Sequence, residues 1–231
     1  MTENSQTSPT ASAYYDADYF AWQQKSGRLG GWANVDKYRD TVRASDRVLD
    51  FGCGGGFLLA NLTCAARFGI EPNPAGREMA KSNGVTVFTS PADALAALGE
   101  GTLDLIISDN ALEHALEPYR ELQALLPLLK AGGRIHFVVP CEGIGWKFKA
   151  DDINQHVYSW SPQSLGNLVK AAGYEVEFSR AYIHKWPPKI AHQMQRLGRP
   201  AFNFASRVWG HLDRRWFQVE VRARKPLRSN V

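Results

Sequence analysis

The run Val48-Leu49-Asp50-Phe51-Gly52-Cys53-Gly54-Gly55-Gly56 constrains this chain more than any other. A short apolar strand ends in an acid and passes into a glycine-rich turn, and an apolar helical pattern follows. Strand, tight turn and helix in that order open an α/β unit whose turn faces a ligand. Glycine suits such a turn because a side chain would hold the ligand off the backbone N–H groups, and because glycine reaches positive φ without steric cost. The spacing is G-x-G-x-G, not the G-x-G-x-x-G of a dinucleotide loop, and Asp50 stands where that loop carries an apolar residue. A pyrophosphate at the helix N-terminus would meet a carboxylate there. A ligand with cationic groups and no phosphate would be compatible with it.

Three further segments extend the pattern. Glu71, in Phe68-Gly69-Ile70-Glu71-Pro72, ends a second apolar run about twenty residues past the glycines, where an acid can accept hydrogen bonds from both hydroxyls of a ribose. A third strand candidate, Val85-Thr86-Val87-Phe88, precedes Asp93. The apolar run from Leu103 to Ile107 then meets Ser108-Asp109-Asn110 and Leu112-Glu113-His114, polar residues at the carboxyl end of a strand, the edge at which open α/β sheets bind ligands. Leu122 to Leu129 reads as a helix, Gly132-Gly133 as its stop, and Arg134 to Pro140 as a fifth strand.

Val48 to Gly54 resembles the first motif of the class I S-adenosylmethionine-dependent methyltransferases. Leu112-Glu113-His114 with Pro118 is similar to the fourth-strand motif of the ubiquinone-type, small-molecule branch of that family. The resemblance covers residues 45–182. It implies an α/β, Rossmann-like methyltransferase fold, with a seven-stranded, mostly parallel sheet, a terminal antiparallel hairpin and a helical insertion before the last strand. It implies S-adenosyl-L-methionine as cofactor, bound by Asp50, Gly52, Cys53, Gly54, Glu71, Pro72, Asp109 and Asn110, with Asp93 toward the adenine amino group and Tyr14 or Arg28 toward the methionine carboxylate. The expected activity is O-methylation of a small-molecule or glycan hydroxyl. A nicotinamide-dependent oxidoreductase is disfavoured by Asp50 and the glycine spacing. A catalytically silent relative is disfavoured by the intact Asp50, Gly52, Gly54 and Glu71.

A hydroxyl acceptor makes a general base useful, and histidine is the side chain best matched to neutral pH. His156 follows the fifth strand and precedes a helix cap at Ser161-Pro162, which hangs it over the carboxyl edge of the sheet as a base or as an acceptor-orienting partner. His114, one residue past Glu113, is the second catalytic candidate, or a tie for its loop. Asp151 and Asp152 form no convincing ligand set with histidine, so no metal is expected.

At 231 residues and 44% apolar content, the chain can bury a substantial single core. Residues 1–12, rich in Ser, Thr, Asn and Gln, are expected to be disordered. Residues 13–44 form an N-terminal helical cap, 45–182 the cofactor-binding core, 183–215 an insertion, and 216–231 the last strand and tail. Residues 183–231 hold 11 Lys/Arg against 2 Asp/Glu, although the whole chain is only +4. The insertion, long for a hairpin connection, repeats apolar residues at helical spacing, interrupted at Gly198 and Pro200. It is either a lid over the acceptor site or a basic amphipathic surface that rests on anionic membrane or receives a carrier-linked glycan acceptor. No nucleic-acid-binding module is recognisable. Cys53, Cys64 and Cys141 are an odd count without metal spacing, which fits reduced thiols in the cytoplasm. No apolar run approaches the about 18 residues of a membrane span, so any membrane contact is expected to be peripheral, on its inner face. Oligomeric state is not legible.

Overall fold

A computed structural model describes residues 27–227, except 144, 153 and 189. Seven strands, β1 (Arg47–Phe51), β2 (Ala66–Ile70), β3 (Thr86–Phe88), β4 (Leu103–Asp109), β5 (Leu129–Glu142), β6 (Glu175–Tyr182) and β7 (Trp216–Arg224), form one sheet in the order β3-β2-β1-β4-β5-β7-β6. The pairings from β3 through β5 are parallel. β7 runs antiparallel to both β5 and β6, so the last strand inserts between them. The chain moves outward from β1 to β3 and returns to β4 on the other side of β1. That reversal opens a crevice between the carboxyl ends of β1 and β4.

Helices cover both faces, which is why the central strands are apolar without interruption. Leu49, Phe51, Ile106, Phe137 and Val139 point to one core, and Val48, Leu105, Ile107 and Val138 to the other. Neighbouring residues fall to opposite sides, as a two-residue period requires. The covering helices are α1 (residues 27–33), α2 (Val35–Tyr38), α3 (Phe57–Ala60), α4 (Pro74–Ser82), α5 (Pro91–Leu98), α6 (Pro118–Leu125) and α7 (Pro162–Ala171). Three of them begin with a side-chain cap followed by proline: Asn73, Ser90 and Ser161 each accept from a backbone N–H of the first turn.

One segment departs from expectation. The helix over Leu122 to Leu129 starts earlier and ends at Leu125, a 3-10 turn occupies Leu126–Leu128, and β5 already begins at Leu129. Pro127 lacks the N–H that a continuing helix needs. Gly132-Gly133 therefore does not stop a helix. Leu103 pairs with Leu129 and Leu105 with Arg134, so the glycines lie in a bulge at the start of the strand.

Between β6 and β7 lie α8 (Ala191–Arg196) and α9 (Arg199–Leu212). Phe202 anchors α9, fully buried with its ring 5.3 Å from Trp32 and 6.3 Å from Trp186. Arg199 donates to the Trp32 carbonyl at 3.2 Å. α9 thus leans on α1. Among the described residues, no helix is long and apolar enough to cross a membrane.

Candidate active site

The crevice is lined from three sides: by Gly27, Gly30, Gly31 and Asn34 from α1 and its end, by Asp50 and the turn from Gly52 to Gly55, and by Asp109 from β4. Gly52 has φ +76°, and a Cβ there would collide with the Cβ of Ala111. The turn is held open from behind. Gly52 N–H and Cys53 N–H donate to the Ile70 carbonyl at 2.9 and 3.1 Å. Glu71 accepts from Gly54 N–H at 2.9 Å on one oxygen and from Asn73 N–H at 2.8 Å on the other. A Cβ on Gly31 would lie 2.6 Å from the Phe57 carbonyl oxygen, so only glycine lets α1 approach the start of α3 this closely.

Two carboxylates face the crevice, and their surroundings differ. Asp109 is neutralised: Lys37 donates to one oxygen at 2.7 Å and Asn34 to the other at 2.6 Å. Asp50 is 3% exposed and its Oδ1 has no hydrogen-bond partner among the described residues. Burial, then the charges of Asp109 and Glu71, hold its pKa well above the ordinary carboxylate range. An unpaired buried carboxylate beside a cavity is complementary to a cationic ligand group.

A second cluster stands where β4 and β5 end. Leu112–His114 forms a 3-10 turn, and the loop after β5 returns to it: Val157 and Tyr158 N–H donate to the Glu113 carbonyl at 2.9 and 3.2 Å. This brings His156 Nδ1 within 2.6 Å of Glu142 Oε1 and His156 Nε2 within 3.9 Å of Glu113 Oε1. His114 packs edge-on against His156, with ring centroids 5.0 Å apart. Ala111, directly before this turn, packs against Gly52 of the glycine turn, so the cluster adjoins the crevice.

Glu113 is fully buried, neither carboxyl oxygen has a hydrogen-bond partner among the described residues, and desolvation pushes its pKa up to about 8. The folded chain holds this proton where the unfolded chain, near 4.5, releases it. The contribution to stability is therefore complete below about pH 4.5 and lost as pH rises through 8. His114 acts in the opposite sense. Burial and His156 lower its pKa to about 4, so its contribution is present above about 6.5 and lost as pH falls toward 4. Glu113→Gln is expected to flatten the alkaline limb of a stability-against-pH curve between pH 6 and 8, where the native carboxyl costs up to about 1.4 kcal/mol per unit. Chemical denaturation at stepped pH measures this; an unchanged slope would mean that Glu113 is ionised in the folded chain.

Of the residues singled out in the sequence, Asp50, Gly52, Cys53, Gly54 and Asp109 line the crevice, while Glu71 braces its turn. Pro72 is exposed and its carbonyl accepts from Arg77 at 2.6 Å. Asn110, at φ +56°, accepts from Gln218 at 3.0 Å. Asp93 and Arg28 are exposed, on the first turn of α5 and on α1, and Tyr14 and residues 1–12 lie outside the described residues. His114 and His156 meet in the second cluster. Sequence reasoning missed Asn34, Lys37 and Glu142, and gave Glu113 no role of its own. The glycine spacing Gly27-x-x-Gly30-Gly31 was a usable signal for α1 as a wall of the crevice.

The comparisons with known proteins agree with this geometry. The methyltransferase domain family matches residues 20–178. The chain belongs to that family, within the class I S-adenosylmethionine-dependent methyltransferases. It is 28% identical over 163 residues to the ubiquinone biosynthesis O-methyltransferase of Pectobacterium atrosepticum, an alignment covering 67% of this chain and 57% of that protein. The chain thus spans less than two thirds of that relative. The fold is shared with a methyltransferase from Archaeoglobus fulgidus (TM-score 0.64, 17% identity, 91% of this chain and 100% of the other). It is also shared with phosphoethanolamine N-methyltransferase 2 of Haemonchus contortus, solved with S-adenosylhomocysteine (TM-score 0.65, 16% identity, 95% and 61%).

S-adenosylmethionine, the cofactor of this family, fits the residues present. The unpartnered Oδ1 of Asp50 can take a cationic group, and the turn from Gly52 to Gly55 offers a surface without side chains beyond that of Cys53.

Proposed function

We propose that this protein methylates a hydroxyl on a small-molecule acceptor, a carrier-linked glycan or a related polar compound, with His156 as general base. The observation that carries this reading is the 2.6 Å contact between His156 Nδ1 and Glu142 Oε1. A carboxylate at that distance makes Nδ1 the donor and leaves the Nε2 lone pair for a proton. Glu142 also stabilises the imidazolium once it forms. An amine that reacts as its free base needs less of this; a hydroxyl of high pKa gains from it. The O-methyltransferase named among the relatives supports oxygen as the acceptor atom.

When bound, S-adenosylmethionine supplies a methyl carbon made electrophilic by its sulfonium. Asp50 would hold a cationic group of the cofactor, its ammonium or its sulfonium, and both Glu71 oxygens keep a lone pair for the ribose beyond the amides they already accept. Asp109, locked by Lys37 and Asn34, fixes α2 against β4 and so keeps the crevice in shape.

Two measurements test the reading. Calorimetric titration is expected to show association with S-adenosylmethionine and none with a nicotinamide dinucleotide. Release of S-adenosylhomocysteine is then followed with phenols, sugar alcohols and the matching amines. Turnover confined to amines would overturn hydroxyl methylation while leaving the cofactor assignment intact.

A further inference from the structure

α9 is apolar on two opposite sides. Phe202, Ser206 and Gly210 are buried against the body of the protein, and the other side carries Phe204 (72% exposed), Val208 (44%) and Leu212 (73%) at a four-residue repeat. A helix needs one apolar face to pack; the outer stripe stays exposed among the described residues. Arg207 and His211 lie exposed on the same side, and Arg214 follows the helix, also exposed. Residues 183–215 contain seven Lys/Arg and a single acid, Asp213. Asp213 is already engaged by Arg215 at 2.9 Å and by Lys185 at 3.7 Å.

A second exposed group adjoins this one. Pairing of Glu142 with Trp216 sets the loop after β5 against the junction of α9 and β7, where a Cβ on Gly143 would strike the Arg215 carbonyl. This loop reads Trp146-Lys147-Phe148-Lys149, with Trp146 54% and Phe148 93% exposed and both lysines exposed. Aromatic rings alternating with lysines suit a bilayer interface, where rings enter the headgroup region and the ammonium groups stay at the phosphates.

We propose that the outer stripe of α9 and the loop from Trp146 to Lys149 form one surface that seats the protein on an anionic lipid bilayer. Charge selects this occupant. A second copy meeting stripe to stripe would bring the Arg207 and Arg214 side chains of both copies into one interface with no acid on α9 to offset them, an accumulation of like charge that interfaces avoid, whereas a surface of acidic phospholipids neutralises them. Seating itself does not depend on catalysis. Its consequence does rest on the O-methyltransferase reading: the same loop carries His156, so the acceptor would reach the base from the membrane.

Cosedimentation of the full chain with phosphatidylcholine vesicles, with and without phosphatidylglycerol, tests seating without cofactor or acceptor. Partition is expected to be about tenfold or more stronger on the anionic vesicles and to weaken as salt rises. Joint replacement Phe204→Ser, Val208→Ser and Leu212→Ser, at exposed positions, is expected to lower partition about tenfold or more. Trp146→Ala with Phe148→Ala should lower it separately, and Arg207→Gln by up to about fivefold. Retained S-adenosylmethionine affinity and thermal melting certify that the variants are folded. Equal partition onto both vesicle types, partition unchanged by the stripe replacements, or a stripe-dependent dimer in light scattering without vesicle binding would each overturn the proposal. Loss of methyl transfer with vesicle binding intact would count against the catalytic reading alone.

Discussion

His156→Ala is expected to lower turnover of a hydroxyl acceptor by about a hundredfold or more, the usual contribution of a positioned general base. S-adenosylmethionine affinity should stay within about threefold, because His156 lies in the second cluster and not in the lining of the crevice. Among the described residues, the ring's one partner at hydrogen-bond distance is Glu142, on Nδ1; Nε2 stands 3.9 Å from Glu113 Oε1, and the side chain is 18% exposed. Glu142→Gln tests the arrangement differently. It keeps the shape of the side chain but removes the charge that stabilises the imidazolium, so turnover should fall by about tenfold or more with S-adenosylmethionine affinity unchanged. A merely structural Glu142 would leave the turnover of the folded variant intact. Turnover in His156→Ala within about threefold of the unmodified protein would rule out the general-base role.

The ligand-facing turn was legible because its determinants are local. Strand, acid and glycines lie within nine consecutive residues, and the positive φ of Gly52 is demanded by the turn they make. The order of the strands was also accessible, since each parallel strand brings its own apolar run and its own helix. What escaped was long-range. Lys37 and Asn34 reach Asp109 across 72 and 75 residues of chain, and nothing in their local composition marks them as partners of a strand end. Glu142 lies two residues past the strand read from Arg134 to Pro140, and it becomes the partner of His156 only through the loop that returns from residue 143 to 156. Glu113 was visible as part of a motif, but its complete burial depends on that same loop. The error at Gly132-Gly133 has a different cause: a glycine pair after an apolar run marks a helix end or a strand bulge equally well, and Pro127 upstream decides between them.

Asp50→Asn is expected to move stability and binding in opposite directions. The carboxylate is buried with one oxygen unpartnered, so without cofactor its charge is uncompensated. Its raised pKa means that the folded chain binds this proton more tightly than the unfolded chain, and stability is lost as pH rises through the native value. Asparagine keeps the shape and removes the charge. The cofactor-free variant should therefore be more stable than the unmodified protein by about 1–3 kcal/mol near neutral pH. The difference should shrink as pH falls and vanish below the ordinary value of 3.8, where the unmodified carboxyl is protonated in both states. S-adenosylmethionine affinity should fall by about tenfold to a hundredfold, because a charge-assisted contact to a cationic group of the cofactor would become a neutral one. Thermal melting with and without saturating cofactor measures both effects in one experiment: the variant melts higher alone and gains less from ligand. A variant that melts lower alone would show that Asp50 is held by the protein itself, and the orphan carboxylate would then cease to mark the place of a cationic group of the cofactor.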